Sequence, residues 1–379
     1  MHSQKKVLIA PLDWGLGHAT RCVPIIREFL AQEIKVIIGG NGNSLQLLRQ
    51  EFPQLQFIEI PGHSFKYGSG FNQVISILRQ LPAFLRQIER EHRQLEQIAE
   101  NENIGLIISD NRYGLWHKTI PSVIITHQLK IKLPNTIKIF SSLVNNEIRN
   151  SIENFTECWV PDIENEIQNL SGDLSHEVNI PKPLPYFSRE VYFIGPLSRF
   201  SLPNDEAGKV WDILAIISGP EPQRTIFEEM ILRQCLEMGL KTLIVSGKPS
   251  ENKTIAQDNV LLKSHLNSEE LQNAILQSEI VICRSGYSSV MDLVKLRKKA
   301  ILVPTPGQTE QEYLAKWLIQ QGLFYSTNQK GLDIKKALEI SKAFDAPDGA
   351  YFDDRLLSDH IQYIIQKYLS SPMPFVHQL

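Results

Sequence analysis

Along the chain, short runs of apolar residues alternate with longer stretches in which apolar positions recur every three or four residues. The first pattern is expected of strands buried on both faces of a parallel sheet, the second of helices lying against that sheet. In the first half, the runs Lys6–Leu12, Ile34–Gly40, Gln56–Ile60, Ile104–Ser109, Ser122–Thr126 and Cys158–Val160 read as strands. Helices are expected over Ala19–Gln32, Ser44–Phe52, about Asn72–Glu100 and about Ile137–Glu153. The third is interrupted at Pro82, which removes a ladder bond and favours a kink. Prolines 181, 183 and 185 mark an irregular stretch, Val191–Leu197 reads as a further strand, and polar Ser198–Lys209 reads as a linker.

The alternation then restarts. Strands are expected at Ile213–Ile217, Thr242–Val245, near Val260, at Ile280–Cys283, Ala300–Val303 and Leu323–Ser326. Helices are expected over Thr225–Met238, with Gly239 as its C-cap, then Ser268–Gln277, Ser285–Lys295, from Thr309, and over Ile334–Ala343 and Asp354–Tyr368. Two such series imply two doubly wound α/β domains, Rossmann-like, facing each other across a cleft. A length of 379 residues exceeds one ordinary core and fits a division into residues 1–200 and 201–379.

Composition narrows the class. With 42% hydrophobic and 21% charged residues the chain reads as a globular protein, and a net charge of −3 gives no support to nucleic-acid binding. Cys22, Cys158, Cys235 and Cys283 are scattered without a C-x-x-C pair, which argues for buried thiols and against a zinc site. The first apolar run is too short for a signal-peptide core, and none approaches the roughly 18 apolar residues of a membrane span. A cytoplasmic location is therefore expected.

The stretch Ile280–Ala315 is densest in chemistry. The turn Arg284-Ser285-Gly286-Tyr287-Ser288-Ser289 opens a helix on which Ser285, Ser288, Ser289 and Asp292 share one face. Free amides and small residues at such a start suit a diphosphate, and a carboxylate two turns along suits ribose hydroxyls. A capped surface helix with a solvated polar face has the same pattern. The helix from Thr309 carries the capping-box sequence Thr309-Glu310-Gln311-Glu312.

At the first strand, Asp13-Trp14-Gly15-Leu16-Gly17-His18-Ala19-Thr20-Arg21 is not a dinucleotide loop, because Thr20 replaces the third glycine and the second strand ends without an acid. It offers an imidazole at a helix start. His18 is the candidate general base. Asp110, at the end of its strand, is placed to orient it, with Asp13 as a rival; a helix-capping histidine is the plainer alternative. His127 is a second imidazole at the sheet edge, for acceptor binding. In the second half, the turn Ser218-Gly219-Pro220-Glu221-Pro222-Gln223-Arg224 offers a cation for phosphate, Lys248 a weaker one, and His265-Leu266 backbone amides for a base edge.

Cys283-Arg284-Ser285-Gly286 through Asp292, then Ala300-Ile301-Leu302-Val303-Pro304 and Glu310-Gln311-x-x-x-Ala315, resemble the donor domain of GT-B glycosyltransferases. The likeness is to the peptidoglycan N-acetylglucosaminyltransferase and its family-28 relatives, whose amino-terminal glycine loop also resembles Gly15-Leu16-Gly17-His18. The resemblance implies that Asp292 holds the ribose, that Glu310 and Gln311 meet the donor sugar or its phosphates, and that Ser285 and Gly286 bind the diphosphate. Tyr287 and Ser288 at the same helix start, and Ser218, Gly219 and Arg224 in the earlier turn, are donor-side candidates by their positions. The resemblance further implies His18 at the catalytic centre, no metal and a final helix crossing back to the first domain. No cofactor is expected, and Gly15, Gly17 and His127 are, by their places at the loop and sheet edge, the acceptor-side candidates. Asp292 stands where glutamate is usual, and Ser218-Gly219-Pro220-Glu221 replaces a Ser-Gly-Gly turn, which points to a different acceptor.

The expected reaction is inverting transfer from a nucleoside diphosphate sugar, with uridine the base by family habit, to a glycan, lipid or small-molecule hydroxyl. A nucleotide-sugar 2-epimerase and a non-catalytic nucleotide- or glycan-binding protein remain alternatives. Phe71, Ile75, Leu78, Leu81, Phe84, Leu85 and Ile88, run through with Arg79, Arg86, Arg90 and Arg93, form either a core stripe or a peripheral contact with the inner face of a membrane.

Overall fold

The computed structural model describes residues 5–62, 72–134, 138–139, 141–176, 190–202, 208–249 and 251–370, with side chains of the third helix from residue 86 onward. Two seven-stranded sheets organise it. The first comprises β1 (Lys6–Pro11), β2 (Val36–Gly40), β3 (Gln56–Glu59), β4 (Ile104–Asp110), β5 (Ser122–Ile125), β6 (Glu157–Val160) and β7 (Glu190–Phe193). Its order is β3-β2-β1-β4-β5-β6-β7 and every pairing is parallel. The second comprises β8 (Trp211–Ile216), β9 (Thr242–Val245), β10 (Thr254–Gln257), β11 (Val260–Lys263), β12 (Ser278–Cys283), β13 (Ala300–Leu302) and β14 (Tyr325–Ser326), in the order β10-β11-β9-β8-β12-β13-β14.

These orders decide where chemistry can sit. In each sheet the strand order reverses once beside the first strand, between β1 and β4 and between β8 and β12. Such a switch point opens a crevice beyond the carboxyl ends of the strands, where ligands of doubly wound sheets bind. The glycine loop and Asp110 flank the first crevice; Ser218-Gly219 and Arg284-Ser285 flank the second. The central strands β1, β4, β5 and β6 are apolar and almost wholly buried, as both-face coverage requires.

The main helices are α1 (Leu16–Ala31), α2 (Gly42–Glu51), α3 (Asn72–Glu102), α4 (Ser141–Ile152), α5 (Gln223–Met238), α6 (Ser268–Leu276), α7 (Tyr287–Lys295), α8 (Thr309–Gln320), α9 (Ile334–Ser341) and α10 (Asp354–Ile364). α5 stops at Gly239, left-handed at φ 65°, a conformation that favours glycine at a C-cap. One apolar cluster joins α1 and β1 to α7 and β12 through Leu197 and Phe200, so the two lobes share packed core on one side of the gap. After α10 a π-helical turn, Ile365–Leu369, lies against the first sheet. There the buried Glu157 accepts from Trp159 Nε1 (3.1 Å) and Tyr368 Oη (3.0 Å), and meets His360 Nε2 (3.2 Å) and Lys367 Nζ (3.3 Å).

Several local features depart from expectation. α3 runs through Pro82 as one helix. Residue 71 and the side chains of 72–85, which carry most of the proposed interfacial stripe, lie outside the described residues; beyond them Leu95 and Ile98 are core. β10, Thr-Ile-Ala-Gln, is a short strand of exposed residues, antiparallel to β11, which no apolar run announces. α8 has no capping box: Gln308 is its N-cap, Thr309 Oγ1 instead donates to Lys132 O (2.6 Å), and Glu312 accepts from Gly307 N (2.9 Å). A complete capping box occurs at Asn267 and Glu270 on α6. Among the described residues no helix is long and apolar enough to cross a membrane.

Candidate active site

The first lobe builds its half of the site from α1 and the end of β4. Gly15, at φ 93°, turns the chain from β1 into α1 and leaves His18 one turn inside. β4 ends on Asp110, whose carboxylate is fully buried. His18 Nδ1 lies 3.1 Å from Asp110 Oδ1, and its side chain keeps 17% exposure. Asp110 is also gripped by Arg21, one turn along α1: Nε donates to Oδ2 at 2.6 Å, and Nη2 donates to Oδ1. Burial alone would raise the Asp110 carboxyl, but Arg21 and His18 outweigh that and hold it well below the usual carboxylate range. Sequence reasoning missed Arg21. Its signal was spacing: His18 and Arg21 stand at i and i+3 on one helix face.

The same guanidinium reaches His127, at the end of β5, with Nη1 3.2 Å from Nδ1. His127 Nε2 meets Glu310 Oε1 of α8 across the gap at 2.8 Å, and Gln128 Nε2 donates to Glu310 Oε2. Burial lowers the His127 pKa, with Glu310 pulling the other way. For Glu310 burial raises the pKa, and His127, His18 and Arg21 more than reverse it. The neutral tautomer that satisfies both contacts has His127 accept from Arg21 on Nδ1 and donate from Nε2 to Glu310. Tyr287 stacks on the His127 ring at 4.2 Å and 3°, and its hydroxyl donates to Pro161 O at 2.9 Å.

The second lobe presents the start of α7. Gly286 is its N-cap, with no side chain bonded to the first amides. Ser288 Oγ donates to Gly17 O at 2.9 Å, and a Cβ on Gly17 would stand 2.9 Å from that Oγ. Gly17 is thus a glycine because α7 comes close to the loop. The polar face of α7 meets the first lobe and the linker, which removes the solvated-helix alternative. Arg284 ties the strand ends together, donating to Val303 O (3.1 Å) and Gln223 O (2.9 Å) over the ring of Phe227. Ser285 Oγ donates to Gln311 O (2.8 Å), and Gln311 Oε1 accepts from Thr305 N (2.8 Å). Beyond β9 and β13, Ser246 Oγ and Thr305 Oγ1 are buried without a protein partner, and Thr305 Oγ1 lies 3.4 Å from where a Gly219 Cβ would stand.

Other candidates are placed differently. Arg224 bonds to Glu221 and donates to Ser246 O at 3.2 Å, so its fork is directed into its own turn. Lys248 faces Glu251 at 3.7 Å. Asp13 turns to α2, accepting from Ser44 N at 3.4 Å and crowding Gly42, rather than toward His18. Asp292 Oδ1 accepts from Ser198 Oγ at 2.6 Å; burial pushes its carboxyl up to about 6, against the pull of Arg199 and Ser198. His265 and Leu266 line a cavity of about 280 Å³ with Arg199, Ser268 and, from α2, Gln50 and Glu51.

This geometry can be set beside known proteins. The model of the glycosyltransferase family 28 C-terminal domain matches residues 232–343. An N-acetylglucosaminyl transferase of Caldanaerobacter subterraneus, acting by its name on N-acetylmuramyl-(pentapeptide) pyrophosphoryl-undecaprenol, is 31% identical over 108 residues, 26% of this chain and 30% of that protein. An uncharacterized glycosyltransferase of Methanosarcina mazei is 24% identical over 364 residues, 90% of this chain and 92% of its own. Among solved structures, the calicheamicin glycosyltransferase CalG4 superposes with TM-score 0.59 at 13% identity, over 96% of this chain and 99% of that one. Acinetobacter baumannii MurG superposes with TM-score 0.53 at 11% identity, over 96% and 99%. The two sheets and their facing crevices are those of the GT-B fold. Within that fold, residues 232–343 resemble the family 28 C-terminal domain, and nearly the whole chain is similar to an uncharacterized glycosyltransferase.

Proposed function

We propose that the chain transfers a sugar with inversion from a nucleoside diphosphate sugar, the diphosphate being uridine's, to an acceptor hydroxyl held by residues 1–200. One observation carries the reading. The loop bearing His18 and the open start of α7 meet at the Ser288–Gly17 hydrogen bond, so an imidazole and a helix N-terminus face one gap. In this reading His18 takes the acceptor proton through Nε2 as the oxygen attacks the anomeric carbon. The bond from that carbon to the diphosphate oxygen breaks, and the leaving charge is received by the amides of residues 286–288 and the α7 dipole. Residues 201–379 hold the donor: Asp292 the ribose, Ser218, Gly219 and Ser285 the diphosphate, Glu310 and Gln311 the sugar, and the cavity at His265-Leu266 the base. No metal is required, because backbone amides supply the electrostatic stabilisation.

Four of these side chains are engaged by protein partners: Glu310 by His127, Asp292 by Ser198, Ser285 by the Gln311 carbonyl and Gln311 by the Thr305 amide. Donor binding therefore exchanges hydrogen bonds already made, and the lobes separate at α8 to admit it. The test is a thermal-shift series over nucleoside diphosphates and their sugars, followed by product release with lipid-linked and soluble acceptors. Uridine diphosphate should raise the melting temperature, and diphosphate release should require an acceptor and give a product of inverted anomeric configuration. Consumption of donor without acceptor, yielding an epimer, would replace transfer with epimerisation.

A further inference from the structure

We infer that Asn111 is a positioning residue that fixes which ring nitrogen of His18 carries the proton; the inference rests on His18 as the base. His18 Nδ1 faces two groups with opposite demands, Asp110 Oδ1 at 3.1 Å and Arg21 Nη2 at 3.0 Å. A proton on Nδ1 suits the carboxylate and leaves Nε2 bare toward the gap. A lone pair on Nδ1 suits the guanidinium and puts the proton on Nε2, where the ring can donate but cannot accept. The choice depends on where Arg21 spends its hydrogens.

Arg21 Nη2 has two. One goes to Asp110 Oδ1. The other can reach either His18 Nδ1 or Asn111. With its amide nitrogen donating to Thr126 Oγ1 (2.9 Å) and Ile125 O (3.3 Å), Asn111 turns its oxygen to Arg21 Nη2 at 3.2 Å. The opposite orientation sets oxygen against oxygen and NH₂ against the guanidinium, so the hydrogen-bond network selects the first. Both Nη2 hydrogens are then taken, and His18 Nδ1 is left to donate to Asp110. The remaining Arg21 contacts, Nε to Asp110 and Nη1 to His127, do not compete. Asn111 can do this because the backbone directly after β4 turns left-handed there, at φ 55°, a region asparagine tolerates better than most residues.

The test replaces the side chain without straining that turn. Asn111→Gly removes the acceptor and Asn111→Asp restores an oxygen facing Arg21; both suit a positive φ. Long-range proton–nitrogen spectra of the full chain, labelled at histidine and assigned with His18→Gln, report the tautomer independently of activity. The wild type should carry the proton on Nδ1. Asn111→Gly should move it to Nε2 and lower kcat at least about 10-fold while donor KM stays within about 2-fold, and Asn111→Asp should return both. A wild type protonated on Nε2, or an Asn111→Gly spectrum unchanged from it, overturns the inference. Full turnover in His18→Ala would instead remove His18 as base, whatever the spectra show of Asn111.

Discussion

His18 and His127 stand in the same gap, share one guanidinium, and follow strands of the same sheet, yet their surroundings differ. His18 is committed on one nitrogen and open on the other. His127 is committed on both, stacked on Tyr287, and exposes only 4% of its side chain. A ring that must accept and release a proton needs one nitrogen free and a route to substrate. A ring bonded at both ends and stacked on its face is held as a fixed linker between lobes. The two sequence contexts, an imidazole beyond an apolar strand, do not distinguish these roles; the second partner of each ring does.

Exchange of the two rings gives the largest separation. His18→Ala should lower kcat by about 10²–10⁴-fold with donor affinity retained, whereas His127→Ala should act mainly on donor KM. Steady-state kinetics on both variants check this, and equal losses of kcat would erase the distinction drawn between them.

Arg21 is what the rings share. Arg21→Ala removes the main counter-ion of buried Asp110 and leaves it only the His18 contact, for which a loss of about 3 kcal/mol in urea unfolding is expected. The accompanying pH dependence has a definite sign. The folded carboxyl of Asp110 titrates below its unfolded value of 3.8, so its contribution is complete above that value and disappears as pH falls through the folded pKa. Arg21→Ala should therefore lose much of its acid-labile stability. A variant as stable as the wild type at neutral pH would show that the pair is not needed by the fold.

The fold was legible from sequence because the apolar runs that form both-face-buried strands are its strongest periodic signal, and the turns following β1, β8, β12 and β13 stood at their ends. Less was legible of the site. His18, Asp110, His127 and Glu310 were visible as polar residues at strand ends or helix starts, but their mutual bonds span separations such as 92 and 183 residues, which no local pattern encodes. Arg21 was hidden within an otherwise buried helix, since a charge on an apolar face reads as irregularity until its counter-ion is known. The α8 capping box failed for a similar reason. Thr309 had a partner in the other lobe, at Lys132 O, and a tertiary acceptor displaced the local one.

Glu310 offers a sharper, smaller test of the His127 half. Glu310→Ala removes charge-assisted bonds to His127 and Gln128 on one side and the proposed donor contact on the other. A rise of about 10-fold in donor KM is expected, with kcat changed less, because one charged hydrogen bond contributes about 1.5–3 kcal/mol and is partly offset by the latch it releases. A donor KM below that of the wild type would show that the latch outweighs the contact.

The smallest expected effect lies at Asp292, away from both rings. Its carboxyl is pushed up to about 6 by burial. If it accepts from ribose hydroxyls it must be ionised, so nucleotide affinity should strengthen as pH rises through that value and weaken below it. The terminal phosphate of a nucleoside diphosphate titrates in the same region and produces a similar trend. Asp292→Asn separates them, since the phosphate contributes equally in both proteins while the carboxylate contributes only in one. Calorimetry at pH 5.5 and 7.5, as working values on either side of about 6, should show a larger change in affinity for the wild type than for Asp292→Asn. Equal changes would assign the whole pH dependence to the ligand and leave Asp292 as the partner of Ser198, holding the linker to α7.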